Sequence, residues 1–201
     1  MPIRAVVFDI GGVLEDTPAT GVAERWEEAF RLRPGELNER LGGVWEAGAI
    51  GAVSEAEVRD SIARILRLDD APVSAFLADI WTEYLGTLIV ELAGYFSGLR
   101  PRYRTALLSN SFVGAREREQ ERYGFGDITD LIVYSHEVGM SKPDPHIYQL
   151  TCDRLGVRPE EVIFLDDRAE CVEAALDAGM RGILFEDNDQ AVADIEAALE
   201  L

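Results

Sequence analysis

From about residue 100 onward, short apolar runs alternate with helical stretches, and this pattern narrows the fold more than any other feature of the chain. Arg104–Leu108, Leu131–Tyr134, Val162–Leu165 and Gly182–Phe185 read as strands. The segments near 113–123, 145–155, 168–178 and 189–199 read as helices, and Gly156 and Gly179 stand where helix C-caps belong. Strands alternating with helices predict a parallel sheet covered on both faces. A further run, Ala5-Val6-Val7-Phe8, is too apolar to lie outside that sheet. The expected class is therefore α/β, and 201 residues suffice for one full core and a smaller lobe.

Between the first run and residue 100 the period is helical, with no convincing strand. Val22, Trp26 and Phe30 recur at helical spacing, as do Phe76, Ile80 and Tyr84, and then Leu88, Leu92 and Phe96. Ser54 with Glu57 forms a capping-box pattern ahead of Val58, Ile62, Ile65 and Leu66. This stretch predicts a helical cap over 16–95, inserted into a core made of 1–15 and 96–201. Trp26, Trp45 and Glu46 are candidate cap contacts, although the aromatic residues are better explained by packing.

The chain carries 19 basic and 38 acidic residues, a net charge of −19. Such a surface repels nucleic acid and anionic membrane, so neither is expected as a partner. A phosphate-binding site in this chain needs local positive charge from a metal or a lysine. Cys152 and Cys171 have neither metal-ligand spacing nor a disulfide framework. Met1-Pro2-Ile3-Arg4 runs directly into the first strand without a signal-peptide pattern, and no segment is apolar for long enough to span a bilayer. A cytoplasmic location is expected.

Ligands of open parallel sheets bind outside the carboxyl ends of the strands. Here those ends carry Asp9, Ser109 with Asn110, Ser135 shortly before Lys142, and Asp166 with Asp167. Gly11 and Gly12 follow Asp9 and allow a sharp turn and a close approach to a ligand. Acids, a hydroxyl, an amide and a lysine at one sheet edge suit a divalent metal held by oxygens, with a phosphoryl group between metal and lysine. Mg²⁺ is the expected ion. Asp9 and Asp167 would supply carboxylates, Asp166 a third oxygen directly or through water, and Gly11 its carbonyl. Lys142, stiffened by Pro143 and Pro145, would aim its ammonium at the same point.

The motifs VVFDIGGVLED (6–16), ALLSNS (106–111), GMSKPDPHIY (139–148) and VIFLDDR (162–168) together resemble the haloacid dehalogenase superfamily of hydrolases. The helical insertion is similar to the cap of the subgroup that includes small sugar-phosphate phosphatases and the phosphatase domain of epoxide hydrolases. The resemblance implies a Rossmann-like three-layer core with a five-stranded parallel sheet of order 5-4-1-2-3. It implies Asp9 as the nucleophile that forms an aspartyl-phosphate, Ser109 at the phosphoryl oxygens with Asn110 beside it near the substrate, and Lys142 as the lysine that neutralises nucleophile and phosphoryl charge. Asp166 and Asp167 match the acidic pair at the metal, and the substrate would be a small phosphorylated metabolite.

Two positions depart from the family pattern. Family phosphatases usually carry a second aspartate two residues after the nucleophile, where this chain has Gly11. A related subgroup reads D-x-G there with an acid seven residues after the nucleophile, which is Asp16 in this chain. Asp16, or a cap residue such as Glu15, is the expected acid–base group. Cys171 stands where relatives with a paired-acid motif often have asparagine. Two other activities remain open. One is metal-independent 2-haloacid dehalogenation, for which Gly11 is compatible but the paired acids are not. The other is phospho-ligand binding by a catalytically impaired relative.

Overall fold

The computed structural model describes residues 2–200; Met1, and the outer limits of the expected core at 1 and 201, lie outside them. The chain begins with β1 (Ala5–Phe8) and β2 (Glu15–Asp16), followed by four helices: α1 (Val22–Phe30), α2 (Glu36–Ala49), α3 (Glu55–Leu66) and α4 (Asp70–Leu85). Next come β3 (Thr87–Leu88), α5 (Val90–Gly98), β4 (Arg104–Ser109), α6 (Ala115–Tyr123), α7 (Phe125–Ile128), β5 (Leu131–Tyr134) and α8 (Ser135–Val138). The last third holds α9 (Pro145–Leu155), β6 (Val162–Asp166), α10 (Ala169–Asp177), β7 (Arg181–Leu184) and α11 (Asn188–Leu199).

Five strands form one parallel sheet of order β5-β4-β1-β6-β7. Counted among themselves from the β7 edge, they read 5-4-1-2-3. The central strand shows why the run at residues 5–8 is apolar throughout. Val6 and Phe8 point into one core cluster, while Ala5 and Val7 point into the other. A strand buried on both faces has no solvent side on which to place polar residues. One face is covered by α5 and α11 through Leu92, Phe96, Ala191 and Ile195, with the Phe8 and Phe96 rings 4.8 Å apart. The other face is covered by α9 and α10 through Ile147, Tyr148, Cys152, Cys171 and Ala175.

Local signals work as the sequence suggests. Ser54 and Glu57 cap α3 reciprocally. Asp144 accepts from the His146 amide at the start of α9, and Gly156 ends that helix at φ 65°. The helices α1–α4 enclose their own small core of Leu37, Leu41, Val58, Ile62, Val73 and Phe76. Trp26 belongs to this packing and also donates to Asp79 at 2.9 Å, while Glu46 is exposed.

Two expectations need correction. The segment after β1 does contain strands: β2 and β3 pair antiparallel as a two-residue ribbon that joins core to cap. Leu88 sits in this ribbon and not in the following helix. Pairs this short carry no alternation to detect. The expected boundary at 95/96 also falls inside α5, whose Leu92 and Ala93 pack in the core together with Phe96. The apolar spacing of that helix is the same whichever lobe it packs on.

The cap is docked on the carboxyl end of the sheet. The Val113 amide donates to Gly48 O at 3.2 Å, and Ser135 Oγ donates to Ala49 O at 2.7 Å. A Cβ on Gly48 would meet the Phe112 ring at 2.2 Å, so the close approach requires glycine there. Arg118 of α6 pairs with Glu55 of α3 and lies 4.1 Å over the Trp81 ring. No helix among the described residues is long and apolar enough to cross a membrane.

Candidate active site

Asp9 follows β1 at the carboxyl end of the sheet and is 6% exposed. Its Oδ1 accepts the next amide, Ile10 N–H, at 2.8 Å. Lys142 arrives on the loop before α9 and is itself buried. Its Nζ lies 2.8 Å from Asp9 Oδ1 and 2.7 Å from Asp166 Oδ2. One ammonium therefore serves two buried carboxylates, and without it both would lie in a poorly solvated pocket uncompensated. Burial pushes the Asp9 carboxyl up to about 6, with Lys142 opposing this and Asp166 adding to it. Burial alone would lower the Lys142 pKa, but the two acids outweigh it and hold the ammonium above its usual value.

Asn110 holds the lysine in place. Its Nδ2 donates to Lys142 O at 2.8 Å, and its Oδ1 accepts Lys142 N–H at 2.8 Å. Both ends of the carboxamide are thus engaged with the lysine backbone, although Asn110 still lines the cavity beside Asp9. Ser109, the last residue of β4, is buried and lines the same cavity, and its hydroxyl makes a long hydrogen bond to Asn110 O at 3.4 Å. Ser135 is used structurally, accepting the Ser111 amide at 2.8 Å.

Asp166 ends β6 fully buried, with Oδ1 accepting the Arg168 amide at 2.8 Å and Oδ2 on Lys142. Asp167 is exposed towards the site, and partial burial followed by the Asp166 charge raises its pKa. Oxygens of Asp9, Asp166 and Asp167 lie within 4.8 Å of one another. A Cβ at Gly12, where φ is +77°, would fall 2.3 Å from Asp167 Oδ2, so the turn after β1 makes room for that carboxylate. An all-oxygen donor set beside a fixed ammonium fits a hard divalent cation such as Mg²⁺. Gly11 lines the cavity, and nothing lies within 4 Å of where its Cβ would be.

Of the two acid–base candidates, Glu15 and not Asp16 reaches the cavity. Asp16 is exposed on β2, opposite Thr87, and does not line the cavity. Its neighbour Glu15 does, and is 1% exposed. The turn explains the exchange: the Leu14 and Glu15 amides both donate to Ile10 O, at 2.7 and 2.9 Å, and the Gly12 amide donates to Glu15 O at 2.8 Å. This coil sets Glu15 above the strand end, and strand alternation then turns Asp16 outward. Burial, and then the nearby Glu119, push the Glu15 carboxyl up to about 9.

Glu119 was not anticipated. It lies on α6 fully buried, lines the cavity, and accepts the Tyr134 hydroxyl on Oε2. Burial raises its pKa to about 7. Its signal in the sequence is helical phase, since Ala115, Glu119 and Tyr123 share one face of an otherwise charged helix. The remaining lining includes Thr17, Glu83 and Tyr84 around a cavity of about 350 Å³. A second, aromatic cavity of about 250 Å³ adjoins it, with Trp45, Trp81 and Phe112 in its wall and Tyr84 and Asn110 shared.

Cys171 is buried in the core, with its thiol pushed up to about 11 by burial, and is a packing residue. His146 is exposed and pairs with Asp144, while His136 Nδ1 lies 2.6 Å from Ser111 Oγ.

A family model described as haloacid dehalogenase-like hydrolase matches residues 3–179. The chain belongs to this family of hydrolases. It is 30% identical over 208 residues to acyl-CoA dehydrogenase family member 10 of Mus musculus, with 98% of the chain aligned but only 19% of that longer protein. The chain thus spans about a fifth of that relative's length. It is 28% identical over 188 residues to a phosphorylated carbohydrates phosphatase of Thermotoga maritima, covering 90% of the chain and 84% of the relative. Among solved structures, an enzyme of the same family from Bacteroides thetaiotaomicron, in complex with magnesium and inorganic phosphate, superposes with a TM-score of 0.80 at 22% identity. That superposition covers 94% of this chain and 98% of the other.

Proposed function

We propose that this hydrolase is a Mg²⁺-dependent phosphomonoesterase of a small phosphorylated metabolite, with a sugar phosphate as the favoured class. The observation that carries the reading is the Lys142 ammonium held between Asp9 and Asp166, at 2.8 and 2.7 Å, beside the three-acid cluster. The Thermotoga relative named for phosphorylated carbohydrates and the Bacteroides structure with magnesium and phosphate support the substrate class and the ion.

Asp9, Asp166 and Asp167, with the Gly11 carbonyl, are the residues that would hold the ion. Its chemistry when bound is charge neutralisation at the phosphoryl oxygens. The other roles belong to the chain's own groups. The free oxygen of Asp9 attacks phosphorus, giving an aspartyl-phosphate as the bond to the leaving alcohol breaks. Lys142 balances the charge of nucleophile and phosphoryl group, and Asn110 fixes the lysine. The Ser109 hydroxyl faces the phosphoryl oxygens. Glu15, the second of the two candidates for this role, delivers the proton that the departing alkoxide needs; its raised pKa keeps that proton available near neutrality. The docked cap over 16–89 keeps bulk water from the intermediate.

Phosphate release from p-nitrophenyl phosphate and a sugar-phosphate panel, with Mg²⁺ and with EDTA, tests this reading. Mg²⁺-dependent release that Asp9→Asn abolishes is the expected result. Halide release from 2-haloacids in EDTA, without phosphate release, would overturn it.

A further inference from the structure

The cavity beyond the phosphoryl end has an uneven charge. Glu15, Glu83 and Glu119 line it with Thr17, Tyr84 and Asn110, and no lysine, arginine or histidine among the described residues does so. Glu15 and Glu119 are 1% and 0% exposed, and Oε1 of each has no hydrogen-bond partner of good geometry among the described residues, although the Tyr84 hydroxyl is close enough to Glu119 to lower its pKa. Buried acceptors of this kind are costly unless a donor reaches them. The second oxygen of Glu119 is already engaged with Tyr134, and Glu83 accepts the Thr20 amide at 2.7 Å. Arg118 pairs with Glu55, and Arg122 donates to Gly86 O at 3.3 Å; the Arg122 charge lowers the Glu15 pKa only partly against burial, and neither side chain lines the cavity. The adjoining aromatic cavity also has no base in its wall.

We propose that Glu15 and Glu119, with Glu83, select the leaving group: an alcohol that carries hydroxyl or ammonium donors and no second anion. This rests on the phosphomonoesterase reading and adds the chemistry of the other half of the substrate. A donor-bearing leaving group satisfies the two orphan oxygens as it binds. A second phosphate or a carboxylate would be desolvated against these acids in a lining that holds no base among the described residues, and Lys142 is already shared by Asp9 and Asp166. Discrimination by unpaired charge is stronger than discrimination by fit alone.

The test is competition against p-nitrophenyl phosphate turnover by the full chain with Mg²⁺. Glycerol 3-phosphate and 3-phosphoglycerate form a matched pair that differs by a hydroxymethyl against a carboxylate, and phosphoethanolamine supplies the ammonium. Glycerol 3-phosphate is expected to compete at least about tenfold more tightly than 3-phosphoglycerate. Glu119→Gln and Glu83→Gln, each checked for native circular dichroism, should narrow that ratio, because an amide donates to an anion. Tighter competition by phosphoethanolamine than by glycerol 3-phosphate identifies the ammonium as the preferred donor; the reverse order identifies the hydroxyl, and both support the proposal. A ratio near one overturns it alone, as does a ratio that neither folded variant shifts. Absence of p-nitrophenyl phosphate turnover overturns the phosphomonoesterase reading and this proposal with it.

Discussion

Replacing Glu15 by glutamine removes one buried titrating proton while keeping the side chain's volume. The folded-state carboxyl is held at about 9, first by burial and then by Glu119, against an ordinary value of 4.5. At pH values between these limits, the unfolded chain has released the proton and the folded chain still binds it. The unfolded state then carries one proton fewer, so stability falls as pH rises, by about 1.4 kcal/mol per pH unit. From pH 6 to pH 8 the wild type should lose about 3 kcal/mol that Glu15→Gln does not lose. With an m-value of about 2 kcal/mol/M, this is a difference of about 1.5 M in urea midpoint shift. The assay is urea unfolding of both proteins across this range, in EDTA so that no cation reaches the acids. Glu119, held at about 7, adds a slope of the same sign in both proteins, so the difference between them isolates Glu15. Parallel stability–pH lines would refute the reasoning, because they would mean that the Glu15 carboxyl is already ionised in the folded protein.

Lys142→Met leaves Asp9 and Asp166 buried without their counter-charge. It should cost about 3–5 kcal/mol in thermal unfolding and bring phosphate release to background. Gly12→Ala places a Cβ 2.3 Å from Asp167 Oδ2 at a φ of +77°. Its expected effect is a rise of about 10–100-fold in the Mg²⁺ concentration for half-maximal activity, from a displaced carboxylate. Mg²⁺ at about 100 times its Kd should stabilise the protein by about 2.7 kcal/mol, reversed by EDTA and diminished in Asp9→Asn, as read by thermal unfolding. Asp9 must be ionised to attack, and burial holds it near 6, so kcat/KM should fall as pH drops below that value. Saturating Mg²⁺ should move this acid limb to lower pH.

The parts of this protein legible in sequence are those in which one side chain's surroundings follow from its immediate neighbours. An apolar run such as residues 5–8 states its own burial, and the acids and hydroxyl at the strand ends follow from parallel topology. Lys142 lies far from Asp9 in sequence, yet its motif and the stiff loop around it were enough to place it. Glu15 and Asp16 show the limit. Both are acids in a turn, and which of them faces the cavity depends on the Leu14 and Glu15 amides both closing onto Ile10 O, a backbone geometry that no side-chain pattern encodes. Glu119 illustrates a second limit. Among the charged residues of α6, only the helical phase shared with Ala115 marks it, and its burial is completed by Tyr134 from another strand.

The division of charge within the site has a physical logic. At −19 the chain as a whole works against binding any phosphate, so attraction must come from a small region. Lys142 supplies it at the end of β1, where Asp9 and Asp166 hold it and could recruit a cation with Asp167. Beyond it no base lines the cavity among the described residues; burial holds the Glu15 carboxyl at about 9, protonated near neutrality, and raises Glu119 to about 7. A neutral carboxyl there can donate a proton or a hydrogen bond, whereas an ion-paired one could do neither. Moving a lysine into that lining, for example at Thr17, would therefore do more than add positive charge. It would lower the pKa of both carboxyls, remove the proton that the leaving group needs, and open the site to substrates with a second anion.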